Sequence, residues 1–526
     1  MQGIDFKKFI ITSSLFITLL FNYDFFTYFF SIKDNHFNFH NCYFVFGLYF
    51  LIITFLNLLI LTIGQRYLLK PLIISLFFIG AIAKYFKSNY GVLINDDVIV
   101  STFHTFLEKN YSELNDILNL KLFISIFVFA IIPSFIILRI KINYPSLYIK
   151  EIFQRIVIII ISLSILLIII FGNYKNVSLI ARKNNKILTQ LIPTYAITSI
   201  YDVYKNYYKS DPEMKILVRS TQEDDLLDRE IMILVIGETA RADHFSLIGY
   251  GKNTNPLLSK KNIKIFNSAT SCGTITAYSV PCIFYMNKYK DYSPSKAEFT
   301  QNVLDVINST ENHKVIWLEN NSSCKHVCDR IETIDFMDIK SPRYTPNEFD
   351  YILVKEAKKI LKENKSGDLL IILHTLGSHG PKYFKRYPEE FEYFKPVCKK
   401  NSPEECAREE LINTYDNTIV YTDYILSELI DLIKININPN DKAAMLYVSD
   451  HGESLGEKNI YLHGLPNSIA PKEQKHIPII LWSNFLNNNI KIIENEVSHE
   501  NIPVTLLDFF NLKTKIEFKS KSLFKF

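Results

Sequence analysis

Ile231-Met-Ile-Leu-Val-Ile-Gly-Glu238 sets six apolar residues in a row before a glycine and a carboxylate. An apolar run without polar alternation is buried on both faces, which is how a central strand of a parallel sheet reads. Far downstream, Ala443 to Ser449 has the same form and is followed by Asp450-His451. Open α/β sheets place their sites beyond the carboxyl ends of their strands. Glu238, Asp450 and His451 are therefore expected at one edge.

Working outward, strands are expected at Ile231 to Ile236, Lys314 to Leu318, Leu369 to Leu373, Ala444 to Val448 and Ile477 to Trp482, alternating with helical stretches. That alternation is the pattern of an α/β domain around a mostly parallel central sheet. Polar clusters follow several of these runs: Asn320-Asn321-Ser322-Ser323-Cys324-Lys325, then His374 with Gly377-Ser378-His379-Gly380, and Tyr461-Leu462-His463-Gly464. Each has a bland explanation when taken singly. Glu238 could be a helix amino-terminal acid, Asp450-His451-Gly452 a turn, His379 and His463 structural histidines beside glycine, and Lys325 a solvated cation. His244, His326 and His476 are read as structural or as supports for neighbouring site residues. Four such clusters on one edge are hard to explain as packing.

The nucleophile candidate lies in Thr270-Ser-Cys-Gly-Thr-Ile-Thr276-Ala-Tyr-Ser-Val-Pro-Cys282, a run of hydroxyls between two cysteines. An alcohol acting near neutral pH needs help to lose its proton, and a metal ion supplies it.

Most of the apolar excess, in a chain that is 48% hydrophobic, lies before about residue 173. Five membrane spans are expected at 9–30, 43–64, 71–86, 121–138 and 156–172. Basic residues concentrate on one side of them (Lys7, Lys8, Arg66, Lys70, Arg139, Lys141, Lys150, Arg155), which makes that side cytoplasmic and puts the carboxyl-terminal domain across the membrane. The expected organisation is a five-span domain over 1–172 with an interfacial loop at 88–119, a bridging segment over 173–230, and a catalytic domain over 231–526. With 58 basic and 54 acidic residues the chain has no excess charge for a nucleic-acid partner. Six cysteines fall into local pairs, Cys272 with Cys282, Cys324 with Cys328 and Cys398 with Cys406, and read as disulfides of an exported domain. A zinc–thiolate cluster is the rival, disfavoured because no four of them show paired Cys-x-x-Cys spacing.

Glu238-Thr-Ala-Arg-Ala-Asp-His, Ser271-Cys-Gly-Thr-Ile-Thr-Ala-Tyr-Ser-Val-Pro-Cys282, His374-Thr-Leu-Gly-Ser-His-Gly380 and Val448-Ser-Asp-His-Gly-Glu-Ser-Leu-Gly456 together resemble the phosphoethanolamine transferases, which modify lipid A in Gram-negative envelopes and include enzymes of polymyxin resistance. The resemblance implies five α-helical spans plus a domain of the alkaline phosphatase/sulfatase fold, in the bacterial inner membrane with the catalytic part in the periplasm. It implies Thr276 as nucleophile, and Glu238, Thr276, Asp450 and His451 as ligands of one zinc ion. For His379 and His463 it leaves three roles open: proton donor to the leaving group, activator of the acceptor, or holder of a second zinc. Asn321, Ser322 and Lys325 match positions that hold the phosphoethanolamine group, and Glu113 matches a proposed substrate contact. The implied reaction takes phosphatidylethanolamine as donor and lipid A or another envelope acceptor, by a ping-pong route through phosphoethanolamine-Thr276, in a monomer. Two rival classes are a phosphoglycerol transferase of the lipoteichoic-acid synthase type and a non-catalytic lipid-headgroup sensor. The second would be expected to lack Thr276 or a zinc ligand, and none is lost.

Overall fold

The computed structural model describes residues 3–22, isolated positions within 47–62, and 64–94, 98, 99, 102, 119–172, 192–208, 214–216, 221–222, 229–287, 289–337, 349–486 and 490–526. The chain divides into two compact units, Met1–Asp96 with Leu118–Asp202, and Asp97–Ile117 with Val203–Phe526.

In the first unit the described helices include α1 (Phe6–Phe21), α2 (Leu69–Tyr90), α3 (Leu120–Arg139) and α4 (Tyr148–Gly172). Among the described residues, α2, α3 and Tyr148–Ile169 of α4 are long and apolar enough to cross a membrane. The first expected span coincides with α1 up to its cap at Asn22, while 23–30 and most of 43–64 fall outside the described residues. Helix α4 starts eight residues before the expected 156, and of its early charges Glu151 and Arg155 are paired with each other. The buried Glu151 carboxylate binds Arg155 at 2.7 Å and Arg66 at 3.0 Å. Within α3 the turn Phe127–Ile131 widens to a π-helix just before Pro133, whose ring nitrogen has no hydrogen to donate. Of the interfacial stretches, 103–118 and 173–191 are outside the described residues, and helix α5 (Thr194–Tyr208) is described.

The second unit is built on an eight-stranded sheet: β1 (Glu230–Gly237), β2 (Lys264–Thr270), β3 (His313–Glu319), β4 (Glu332–Asp335), β5 (Asp368–His374), β6 (Lys442–Ser449), β7 (His476–Ser483) and β8 (Lys491–Ser498). Their spatial order is β8-β2-β7-β6-β1-β5-β3-β4. β1 pairs in parallel with β6 and β5, β3 with β5 and β4, and β2 with β8; β7 alone of the eight is reversed, between β6 and β2. The carboxyl ends of seven strands therefore share one edge. The register fixes who meets there: Gly237 lies opposite Ser449, so Glu238 and Asp450 leave the sheet side by side.

Alternate residues of β1 enter opposite cores. Ile231, Ile233 and Val235 pack with helices α7 (Tyr351–Glu363) and α8 (Arg408–Asn436). Met232, Leu234 and Ile236 pack with α6 (Thr276–Ile283) and α9 (Asn501–Phe509). In α7 the buried residues are Leu353, Val354, Ala357, Ile360 and Leu361, one stripe at helical spacing. The result is a three-layer α/β/α domain with both sheet faces covered.

All five expected strands are present, and the expectation missed β2, β4 and β8. β8 is an edge strand whose Lys491, Ile492, Glu494 and Glu496 remain exposed, so it has no continuous apolar run to read.

Candidate active site

Thr276 is the first residue of α6, and its Oγ1 donates to Glu238 Oε2 at 3.0 Å and lies 3.5 Å from His451 Nε2. Asp450 Oδ2 is 3.2 Å and Glu238 Oε1 3.5 Å from the same nitrogen. Neither of those two carboxylate oxygens receives a hydrogen bond, although Glu238, Asp450 and His451 are each fully buried. Buried carboxylate oxygens without donors are costly unless a cation sits between them.

The remaining atoms are committed in ways that aim the free ones inward. Asp450 Oδ1 takes the backbone N–H groups of Thr239 at 3.1 Å and His451 at 2.7 Å. His451 Nδ1 lies 2.9 Å from the Gly452 carbonyl. A carbonyl only accepts, so the hydrogen is on Nδ1 and Nε2 keeps its lone pair, as a metal-ligating imidazole requires. One ligand atom each from Glu238, Asp450 and His451 lie within 4.8 Å of one another. Two carboxylates, a neutral imidazole and a nearby alcohol are a donor set suited to zinc, and the residues fit that ion.

Electrostatics point the same way. Burial first, and the Asp450 charge second, push Glu238 well above the usual carboxylate range. Burial pushes Asp450 up to about 7. Burial and then His463 hold His451 well below its ordinary value.

This fixes a prediction for metal-free protein. An unfolded aspartate titrates near ~3.9, below the folded value of Asp450, so the folded state holds the extra proton between roughly pH 4 and about 7. Stability then falls as pH rises through that window, by up to ~1.4 kcal/mol per pH unit. Asp423, also pushed to about 7 by burial, titrates there too. The readout is therefore the difference between chelated wild-type and chelated Asp450→Asn protein in thermal melts: the wild type should lose more melting temperature with rising pH. Equal slopes would refute it.

Around this centre the structure places other expected residues and several that sequence reading gave no role. Asn321 donates through Nδ2 to Glu238 Oε2 and to the Thr375 carbonyl, both at 2.9 Å, while its Oδ1 takes the Ser322 N–H at 2.7 Å. Lys325 is buried, donates to the Ser322 carbonyl, and has a left-handed backbone at φ 49°. The rings of His379 and His463 are 5.7 Å apart, and those of His463 and His451 4.4 Å. Burial, then Arg386 and His463, hold His379 well below its ordinary value. Glu238, His379 and His463 also form a group able to hold a metal ion. Glu113 lies outside the described residues.

Three supporting carboxylates were not anticipated. Glu453 Oε2 lies 3.1 Å from His463 Nδ1 and orients that ring. Glu319 takes the Asn321 N–H at 2.6 Å and also binds His374 Nδ1 and Trp317 Nε1, each at 2.9 Å. Asp350 holds the turn before His379 through the N–H groups of Leu376 and Gly377 at 2.8 and 2.9 Å. At Gly377, with φ 50°, a Cβ would stand 2.9 Å from the Glu238 backbone, so glycine alone lets this turn lie against the start of the Glu238 loop. Glu453 sits inside a quoted motif and could have been found there; Glu319 and Asp350 carry no local signal.

The structure joins Cys272 to Cys282, Cys324 to Cys328 and Cys398 to Cys406. The first closes the loop that carries Thr276, and the second follows Lys325-His326-Val327 around a tight turn.

Comparison with known proteins covers both units. Residues 230–512 match the sulfatase family and residues 52–208 match the family described as phosphoethanolamine transferase EptA/EptB. The chain is 35% identical over 471 residues to phosphatidylethanolamine transferase Mcr-2 of Escherichia coli, covering 86% of each. It is 33% identical to phosphoethanolamine transferase EptA of Escherichia coli K12, covering 88% of this chain and 86% of that one. Among solved structures it is similar to the integral membrane lipooligosaccharide phosphoethanolamine transferase A of Neisseria meningitidis, with a TM-score of 0.86, 29% identity and 97% of each chain covered.

Proposed function

Because the chain belongs to the phosphoethanolamine transferase family, we propose that it moves phosphoethanolamine from phosphatidylethanolamine to an envelope acceptor, lipid A phosphate first among them, by way of Thr276. The observation that carries this reading is the meeting of the Thr276 alcohol with the buried Glu238–Asp450–His451 group, whose unbonded oxygens call for a cation. Relatives named phosphatidylethanolamine transferase and Kdo(2)-lipid A phosphoethanolamine 7''-transferase support this choice of substrates.

In the first half-reaction Thr276 Oγ1 forms a bond to phosphorus, the bond from phosphorus to the glyceryl oxygen breaks, and diacylglycerol leaves with a proton on that oxygen. In the second, an oxygen of the acceptor takes the phosphoethanolamine group and Thr276 is restored, which makes the kinetics ping-pong. Glu238 accepts the alcohol's hydrogen and orients its oxygen. A zinc ion held by Glu238, Asp450, His451 and Thr276 would lower the alcohol's pKa and offset phosphoryl charge. The amino end of α6 adds positive potential where the phosphoryl group arrives. Lys325 offsets further phosphoryl charge. His463, backed by the Glu453 carboxylate, is suited to carry a proton to the leaving oxygen, and His379, held neutral, to take one from the acceptor. The membrane unit, read as five spans with the catalytic domain in the periplasm, keeps enzyme and lipid substrates on one surface, where effective concentrations are high.

Full-length protein in vesicles containing labelled phosphatidylethanolamine and lipid A should yield phosphoethanolamine-lipid A by mass spectrometry, with no transfer from phosphatidylglycerol. Transfer of glycerol phosphate instead would overturn the donor assignment.

A further inference from the structure

Strand β8 brings one more chain segment to the catalytic edge. The residue after Ser498 is His499, and it is fully buried. Its ring spans two pieces of the site. Nε2 lies 2.9 Å from the carbonyl of Ser449, the residue before Asp450. Nδ1 receives the backbone N–H of Cys272 at 3.3 Å and lies 3.4 Å from Cys272 Sγ, a few residues before Thr276.

Since the carbonyl only accepts, the hydrogen is on Nε2 and Nδ1 keeps a lone pair. One neutral tautomer satisfies both ends, and burial, which pushes this imidazole down to about 4, keeps it neutral. Ser449 extends the link: its Oγ takes the Ala240 N–H at 2.8 Å and donates to the His451 carbonyl at 2.9 Å. The ring thus ties the loop carrying the alcohol to the strand ends carrying Glu238, Asp450 and His451. A buried histidine that merely filled space would need neither of its two polar connections to reach these segments.

We infer that His499 is a positioning residue for transfer, a rigid strut that sets the separation between the Thr276 loop and the Glu238–Asp450–His451 group without touching substrate. This rests on the reading of Thr276 as nucleophile. Small misplacement of a reacting atom lowers turnover more than binding, so the effect belongs in kcat.

The test uses full-length protein in vesicles of phosphatidylethanolamine and lipid A, and three variants. His499→Asn keeps an acceptor near the Nδ1 position, His499→Gln a donor near the Nε2 position, and His499→Ala neither. With acceptor withheld, diacylglycerol release stops at one equivalent per competent site whatever its rate, so slow enzyme is distinguished from unfolded enzyme. His499→Ala is expected to lower kcat per active site by roughly 10- to 100-fold with donor KM within about twofold, and the Asn and Gln variants to recover part of kcat. Should His499→Ala fail to fold, the other two variants carry the test. Wild-type kcat per active site in all variants that fold, or a loss confined to melting temperature or to KM, would overturn the strut. Thr276→Ala, run alongside, separates the two readings: activity in that variant removes the nucleophile assignment, whereas an inactive Thr276→Ala with wild-type kcat in the His499 variants removes the strut alone.

Discussion

Thr276→Ala is expected to lower transfer by on the order of 10⁴-fold or more in kcat, the scale on which nucleophile removal acts when catalytic groups work as a unit. Fold and metal content should survive. The deleted hydroxyl's shorter hydrogen bond, to Glu238 Oε2, is worth about 0.5–1.5 kcal/mol, its 3.5 Å contact with His451 Nε2 is weaker, and Glu238, Asp450 and His451 still group without it. Thr276→Ser, which keeps the oxygen, should retain measurable turnover. With acceptor withheld, the wild-type protein should accumulate phosphoethanolamine on the peptide containing Thr276, and the alanine variant should not. An adduct found on another residue, or robust turnover by the alanine variant, would move the chemistry elsewhere.

Removal of the metal is expected to have an effect of similar size. Without a cation, Glu238 and Asp450 bring two carboxylates together in a buried site, and one of them retains a proton. The alcohol then has neither a charge to stabilise its deprotonated form nor an unprotonated pair of carboxylates beside it. Chelation should suppress transfer by about 10³-fold or more, the scale of a lost electrostatic stabiliser, and zinc should restore it. Asp450→Asn should lose activity and zinc together, with no rescue by added metal. Full activity in exhaustively chelated protein would show that the cluster works without a metal.

Legibility in the sequence followed burial. β1, β3, β5, β6 and β7 lie inside the sheet, covered on both faces, and their uninterrupted apolar runs announce them. β8 and β4 are the outer strands, half-exposed and mixed in composition, and β2 carries Asn267 and Ser268. Local pattern cannot separate such segments from loops. The reversal of β7 was equally hidden, because an apolar run reads the same in either direction.

At the site, Glu238, Thr276, Asp450, His451, His379 and His463 were legible because each lies just beyond a strand or inside a long motif. His499 and Glu319 were not. A histidine after an edge strand and a glutamate at a strand end have no local feature that distinguishes them from surface residues.

The sequence by itself determined the apolar-rich amino-terminal part and the α/β character of the remainder, since both follow from composition and from short-range order along the chain, and its motifs singled out the candidate site residues that the fold brings together. Only the tertiary structure decided which atoms of those residues are left unbonded, which carboxylate backs which histidine, and that His499 ties the Thr276 loop to the Asp450 strand. Such contacts join positions as much as 227 residues apart, and they are set by strand order and register, which no stretch of sequence encodes alone.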